Sequence, residues 1–315
     1  MKRIVFLDRA TVNADLPRPT VPHEWLDHAT STPDEVLSRC HGAHVVVTNK
    51  VPLTAATLAA LPRLELVVAA ATGVDHIDHA ACAERGVALA NCVGYSTPSV
   101  AEHAIALAMA LRRNFMGYWR DASAWSQAER FYAELHPVAD LHGATLGIVG
   151  HGALGRRTAE LGAAFGMRVL RAERRGAAEA RPGYTDFDMV LREADVLSLH
   201  CPLSDETRGL IGADELRAMK RTAILVNTAR GALVDEAALL AALDAGWIAG
   251  AGLDVLCAEP PPADQPLLRA PRPDLIVTPH IAWRTPTAMA RLARHVVAAI
   301  DEHYRQSPVF QATAI

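Results

Sequence analysis

Arg230, Glu259 and His280 are far apart in the chain, yet each lies in a loop that follows a short apolar run. Arg230 stands in Asn227-Thr228-Ala229-Arg230-Gly231, Glu259 in Glu259-Pro260-Pro261-Pro262, and His280 in Thr278-Pro279-His280-Ile281-Ala282-Trp283. Together they are what reduction of a 2-keto acid asks for. A guanidinium holds a carboxylate in a bidentate grip and polarises the neighbouring carbonyl. An imidazolium protonates the oxygen as hydride arrives, and a carboxylate beside it stabilises the charged ring. Taken singly, each has a plainer reading: a surface ion-pair partner, a loop charge, a turn residue bonded to backbone.

A hydride carrier has its own signature. The run Thr145–Val149 leads directly into Gly150-His151-Gly152-Ala153-Leu154-Gly155 and then into a helical stretch. The first glycine of GxGxxG allows the tight turn, the second lets backbone approach a pyrophosphate, and the third lets helix and strand pack closely. About 20 residues on, Glu173 ends the next strand, where a carboxylate accepts the ribose hydroxyls of NAD and repels the 2′-phosphate of NADP. NADH is therefore expected over NADPH, although Arg174 and Arg175 follow at once and soften that repulsion.

The elements that must position these groups alternate along the whole chain. Short apolar runs at Ile4–Leu7, Val45–Thr48, Leu66–Ala70, Val87–Asn91, Thr145–Val149, Arg168–Glu173, Val196–His200, Ile224–Asn227, Gly250–Val255 and Leu275–Thr278 read as strands. Ala/Leu-rich stretches of helical period separate them. The pattern predicts an α/β protein with parallel sheets covered on both faces, whose ligands bind at the carboxyl ends of the strands. Thr97-Pro98 and Thr285-Pro286 each place a capping hydroxyl before a proline at the first helical position, predicting helices to about Arg112 and about His303. Domain junctions are placed at these two points. They give a discontinuous lobe, 1–96 plus 285–315, and an inserted lobe, 97–284. The length of 315 residues suits about two domains of roughly 150 residues.

Between them, 114–141 has no clean period but holds Trp119, Trp125, Phe131 and Tyr132. Aromatic enrichment of this kind points to an interface, most simply that of a homodimer; the alternative is a satellite cluster under a loop.

Bulk properties exclude other classes. A net charge of −4 argues against a nucleic-acid or anionic-membrane surface. The longest uninterrupted apolar run, 104–111, falls well short of the roughly 18 residues of a membrane span. Five scattered cysteines without a CxxC pair suit reduced thiols in the cytoplasm; neither a disulfide framework nor a metal site is expected.

With these residues in view, the chain resembles the D-isomer-specific 2-hydroxyacid dehydrogenase family over essentially its whole length. The matching stretches are Ala71-Thr72-Gly73-Val74-Asp75-His76-Ile77-Asp78, Val100-Ala101-Glu102-His103, the glycine fingerprint, His200-Cys201-Pro202-Leu203 with Thr207, Asn227–Gly231, Gly252-Leu253-Asp254-Val255, Glu259-Pro260 and Pro279-His280. Within the family the glycerate dehydrogenase (hydroxypyruvate reductase) branch looks most similar. That finer likeness rests on Val5-Phe6-Leu7-Asp8, Thr48-Asn49-Lys50, Ala172-Glu173-Arg174 and Pro279–Trp283.

The resemblance implies two Rossmann-like lobes joined by two crossing helices, and usually a dimer. It implies Arg230 as substrate anchor and His280, paired with Glu259, as proton donor. Gly150, Gly152, Ala153, Leu154, Gly155, Glu173, Arg174, Cys201, Pro202, Thr207, Thr228, Ala229, Asp254 and His280 would contact the dinucleotide, Asp254 beside its carboxamide. Backbone around Thr72 and Gly73 would hold the substrate carboxylate. Lys50 and Trp283 are further candidates there, each with a plainer alternative, a solvated charge for Lys50 and packing for Trp283. Thr72 departs from the small residue usual at its place. A D-lactate or 3-phosphoglycerate dehydrogenase branch and a non-enzymatic NAD-sensing regulator are the competing readings; retention of all three catalytic residues favours an enzyme.

Overall fold

The computed structural model describes residues 1–306. The sequence reading assigns residues 307–315 to the first lobe; they lie outside the described residues. The chain divides into two compact units: Met1–Ser96 with Arg284–Ile315, and Thr97–Trp283.

In the first unit five strands are all parallel: β1 (Lys2–Phe6), β2 (His23–Asp27), β3 (Val45–Thr48), β4 (Leu66–Ala69) and β5 (Ala88–Asn91), in the order β2-β1-β3-β4-β5. β3 and β4 are buried at every position, as strands covered on both faces must be. Sequence reading misses β2, His-Glu-Trp-Leu-Asp. It is an edge strand paired only with β1 and no residue in it is fully buried, so it carries no apolar run. The helix Pro286–Gln306 covers this sheet with an apolar stripe: Met289, Leu292, Ala293, Val296, Ile300 and Tyr304 are buried at helical spacing. The Thr285 hydroxyl caps its start, accepting from Ala288 N–H at 3.2 Å.

The second unit holds β6 (Thr145–Val149), β7 (Arg168–Ala172), β8 (Val196–Leu199), β9 (Ile224–Asn227), β10 (Gly250–Leu253) and β11 (Leu275–Val277). They too are all parallel, in the order β11-β10-β9-β8-β6-β7. The helix Thr97–Arg112 lays Ala104, Ile105, Leu107, Ala108 and Leu111 on one face of this sheet, against Leu146, Ile148, Val196, Ile224 and Val226. It already includes Thr97. The aromatic stretch, which has no clean period in the sequence, contains a helix at Phe115–Asp121 and a 3-10 segment at Ala122–Gln127.

Each sheet reverses its winding once: between β1 and β3 in the first unit, between β6 and β8 in the second. At such a switch point the flanking loops part and leave a crevice at the carboxyl ends of the strands. The two crevices are filled differently. In the first, the buried carboxylate of Asp8 accepts from the backbone N–H of Asn49 (2.9 Å) and of Lys50 (2.7 Å). An internal anion thus occupies the amides that follow β3. In the second, the glycine fingerprint follows β6.

Candidate active site

His280 follows β11 in the left-handed region, φ 51°, a conformation that costs most L-residues energy and that histidine tolerates better than most. Asp254, at the end of β10, holds it there. Its carbonyl accepts from His280 N–H at 2.9 Å. Its almost fully buried carboxylate accepts from Ile281 N–H (3.0 Å), Ala282 N–H (2.9 Å) and the Thr278 hydroxyl (2.5 Å). His103, on the helix Thr97–Arg112, bonds Thr278 at 2.9 Å and stands 3.6 Å from Asp254. The indole N–H of Trp283 donates to the His280 carbonyl at 2.8 Å. Both neighbours therefore act on the backbone of the histidine.

The ring of His280 meets Glu259 at 2.6 Å, Nδ1 to Oε2. The other oxygen of Glu259 accepts from Leu256 N–H at 3.0 Å. Glu236, at the start of the helix Glu236–Asp244, braces the same loop, accepting from Cys257 N–H (2.6 Å) and from the Gln265 amide (3.1 Å). With one oxygen tied to the backbone and the other to the His280 ring, Glu259 cannot swing away without breaking two bonds. A cavity of about 360 Å³ opens here, lined by Asp254, Leu256, Glu259, Pro260, Thr278 and His280 among others.

Arg230 arrives from β9. Asn227 shapes its turn, accepting from Ala229 N–H at 3.0 Å and donating to the Arg230 carbonyl at 2.8 Å. The next residue must be glycine: a Cβ on Gly231 would stand 2.0 Å from the Leu256 carbonyl carbon. The Arg230 turn and the Glu259 loop are thus pressed together, and the three residues sit on adjoining loops at the carboxyl end of one sheet. Arg230 is not among the lining residues of the cavity.

At the switch point the fingerprint has the form the sequence implies. Gly150 takes φ 90°, and a Cβ there would meet Cys201 N at 2.4 Å; one on Gly155 would meet the Gly150 carbonyl at 2.1 Å. Gly152 faces open space, and the helix Ala153–Ala164 begins immediately after it. The hydroxyl oxygen of Thr228, past β9, is buried without a hydrogen-bond partner. Free helix-start amides, room above Gly152 and an orphaned hydroxyl suit a dinucleotide, and Gly150–Gly155, Thr228 and the strand-end Glu173 are the residues that would hold it. The Thr207 hydroxyl, by contrast, is used within its own turn, donating to the Pro202 carbonyl (2.7 Å) and accepting from Ser204 N–H (2.7 Å).

Glu173 departs from the expectation of an open carboxylate. It is 5% exposed and paired with Arg181, Nε to Oε2 at 2.6 Å and Nη2 to Oε1 at 2.8 Å. This guanidinium pulls its pKa down to about 2. Arg174 is exposed, and its backbone N–H donates to the same carboxylate at 2.8 Å.

In the first unit, Lys50 follows β3 and Thr72-Gly73 follows β4, so they share one end of that sheet. The Lys50 side chain is exposed. The Thr72 hydroxyl donates to the Cys92 carbonyl at 3.1 Å. Reading the residues alone assigns no role to Asp8, His103 or Thr278. The available signals were a charge closing an apolar strand at Asp8, and a histidine on the buried stripe of Val100, Ala104 and Leu107. Among the described residues no cluster of His, Cys, Asp and Glu could hold a metal, and no helix is long and apolar enough to cross a membrane.

Comparison with known proteins agrees with this geometry. Residues 105–282 match the model of the D-isomer specific 2-hydroxyacid dehydrogenase NAD-binding domain. The chain is 42% identical to a glycerate dehydrogenase of Methylorubrum extorquens, covering 98% of both chains. It is 34% identical to a hydroxypyruvate reductase of Blautia hydrogenotrophica, covering 88% of this chain and 87% of that one. The structure superposes on a D-lactate dehydrogenase from Aquifex aeolicus, complexed with NAD and lactic acid, with a TM-score of 0.80 and 27% identity over 96% of this chain and 95% of the other. A glycine cradle at the sheet's switch point, a histidine–carboxylate pair at strand ends and a match over more than half the chain converge on one conclusion: this chain belongs to the D-isomer specific 2-hydroxyacid dehydrogenase family.

Proposed function

We propose that this oxidoreductase interconverts hydroxypyruvate and D-glycerate, with glyoxylate as a second substrate. The supporting observation is the 2.6 Å pair of His280 and Glu259 lining a cavity of about 360 Å³. When bound, the dinucleotide supplies or takes up the hydride; the residues do the rest. Glu259 occupies Nδ1 of His280, so Nε2 carries the proton that the carbonyl oxygen receives on reduction and surrenders on oxidation. The carboxylate stabilises the imidazolium in the state that gives the proton. Arg230 takes the substrate carboxylate and polarises the carbonyl, with Lys50, Thr72 and Gly73 as further substrate contacts. NADH is the proposed carrier, read from the carboxylate at the strand end; the Arg181 pair on that carboxylate narrows the preference over NADPH.

The glycerate dehydrogenase likeness favours this substrate over D-lactate or a phosphorylated acid, and an intact His280–Glu259 pair speaks against a purely regulatory protein. NADH oxidation followed at 340 nm against hydroxypyruvate, glyoxylate, pyruvate and phosphohydroxypyruvate tests it: the highest kcat/KM is expected with hydroxypyruvate, and a clear preference for pyruvate or phosphohydroxypyruvate overturns it.

The protein is further read as a homodimer of the cytoplasm. Trp119 (78% exposed), Trp125 and Phe131 (89%) are exposed aromatics of one stretch of chain, the residue type enriched at interfaces, and Cys40, Cys82 and Cys92 are buried free thiols. Light scattering on the purified protein should give twice the chain mass.

A further inference from the structure

Glu173 raises a question of occupancy. A carboxylate offers about four acceptor sites on its two oxygens. Here all four are taken: Oε1 by Arg174 N–H (2.8 Å) and Arg181 Nη2 (2.8 Å), Oε2 by Arg181 Nε (2.6 Å) and Arg181 N–H (3.1 Å). A ribose diol would need the same lone pairs. The two backbone donors are held in place, because the loop that carries them is pinned at its base. Glu173 N–H donates to the Thr185 carbonyl (2.8 Å) and Thr185 N–H to the Arg171 carbonyl (2.7 Å), alongside β7. The two guanidinium donors can leave, since the Arg181 side chain is 56% exposed. In this same pose the guanidinium lies 4.2 Å from the Tyr184 ring centroid, and Tyr184 in turn packs edge-on against His151 of the glycine loop, so a guanidinium that leaves Glu173 has an aromatic face beside it.

We propose that Arg181 is the cofactor-discriminating residue of this enzyme, a latch that closes Glu173 against the ribose of NAD and offers its fork to the 2′-phosphate of NADP. The proposal rests on the dinucleotide reading of the glycine site. With the latch in place, the carboxylate that should repel a phosphate is already neutralised. Of the two arginines that follow Glu173, Arg175 is committed to Glu215 at 2.5 Å, which leaves Arg174 to add to the positive rim. A guanidinium released by NADH stays within the pinned loop, whereas one facing a 2′-phosphate gains a bidentate partner. Arg181 therefore costs NADH affinity and supports NADPH affinity.

The test is equilibrium binding, independent of turnover. Dissociation constants of NADH and NADPH are measured by titration calorimetry on the full chain and on Arg181→Met, with 5′-AMP and adenosine 2′,5′-bisphosphate as probes of the adenosine end. Arg181→Met should tighten NADH and 5′-AMP about 5-fold and weaken NADPH and the bisphosphate about 10-fold, a change in the NADH:NADPH ratio of about 50-fold, roughly the worth of one charge-assisted bidentate pair. Arg181→Lys, which keeps the charge but not the fork, should fall between. An unchanged ratio, or NADH weakened by Arg181→Met, overturns the latch while leaving the dinucleotide site standing. Failure of the unaltered protein to bind either dinucleotide overturns the site reading and the latch with it.

Discussion

The backbone N–H of His280 donates to the carbonyl of Asp254 at 2.9 Å, while the carboxylate of Asp254 accepts the two amides that follow His280. One residue at the end of β10 therefore holds the left-handed turn that aims the histidine. The sequence reading places Asp254 beside the nicotinamide carboxamide. In the structure both of its oxygens also accept from its own chain, three donors in all, so that it positions His280 as well. Asp254→Asn puts an NH₂ group where only acceptors fit. Turnover should fall about 100-fold, with NADH affinity within about 2-fold of wild type. A parallel loss of NADH binding would point to the carboxamide contact instead.

His280 and Glu259 form the pair on which proton transfer depends. His280→Ala should lower kcat at least about 100-fold, the usual loss on removing a general acid. Glu259→Gln keeps the size and the Leu256 contact but cannot stabilise an imidazolium, so a loss of about 10- to 100-fold is expected. Wild-type turnover in His280→Ala would remove the histidine from the mechanism.

Gly231 sets the distance between the Arg230 turn and the Glu259 loop. A Cβ there would lie 2.0 Å and 2.2 Å from the Leu256 carbonyl carbon and oxygen, backbone atoms that cannot rotate aside. Gly231→Ala should cost about 3 kcal/mol in denaturant unfolding, at the upper end for overpacking, and should raise KM for the keto acid. Unchanged stability would mean that the two loops part easily.

His200 ends the stretch after β8 with Nε2 bonded to Ser198 at 2.9 Å and Nδ1 buried without a partner. Burial pushes its pKa down to about 4. The unfolded chain protonates this ring near the ordinary value of about 6.5. Between those two pH values the unfolded state therefore binds more protons, and stability falls as pH drops from about 6.5 to about 4, by up to about 1.4 kcal/mol per pH unit for one proton. Urea midpoints measured from pH 4.5 to 7 should show that slope, and His200→Asn should flatten it by about one proton. An identical slope in the variant would refute the assignment.

Strand positions, the glycine cradle and the residue types of the site were legible in the chain because local rules govern them. An apolar β-branched run makes a buried strand, GxGxxG makes a turn that demands glycine at Gly150 and Gly155, and a charge just past such a strand must stand at the end of a sheet. Tertiary structure decided what those residues touch. Nothing local told that β2 pairs at an edge, that Asp8 fills the amides after β3, or that His103 reaches Thr278 from a helix 175 residues earlier. Glu173 shows the division most plainly. Its place at the end of β7 is a matter of periodicity, but whether its oxygens are open depends on a guanidinium brought back by a folded loop, and a hydrogen bond between two side chains leaves no pattern in the order of residues.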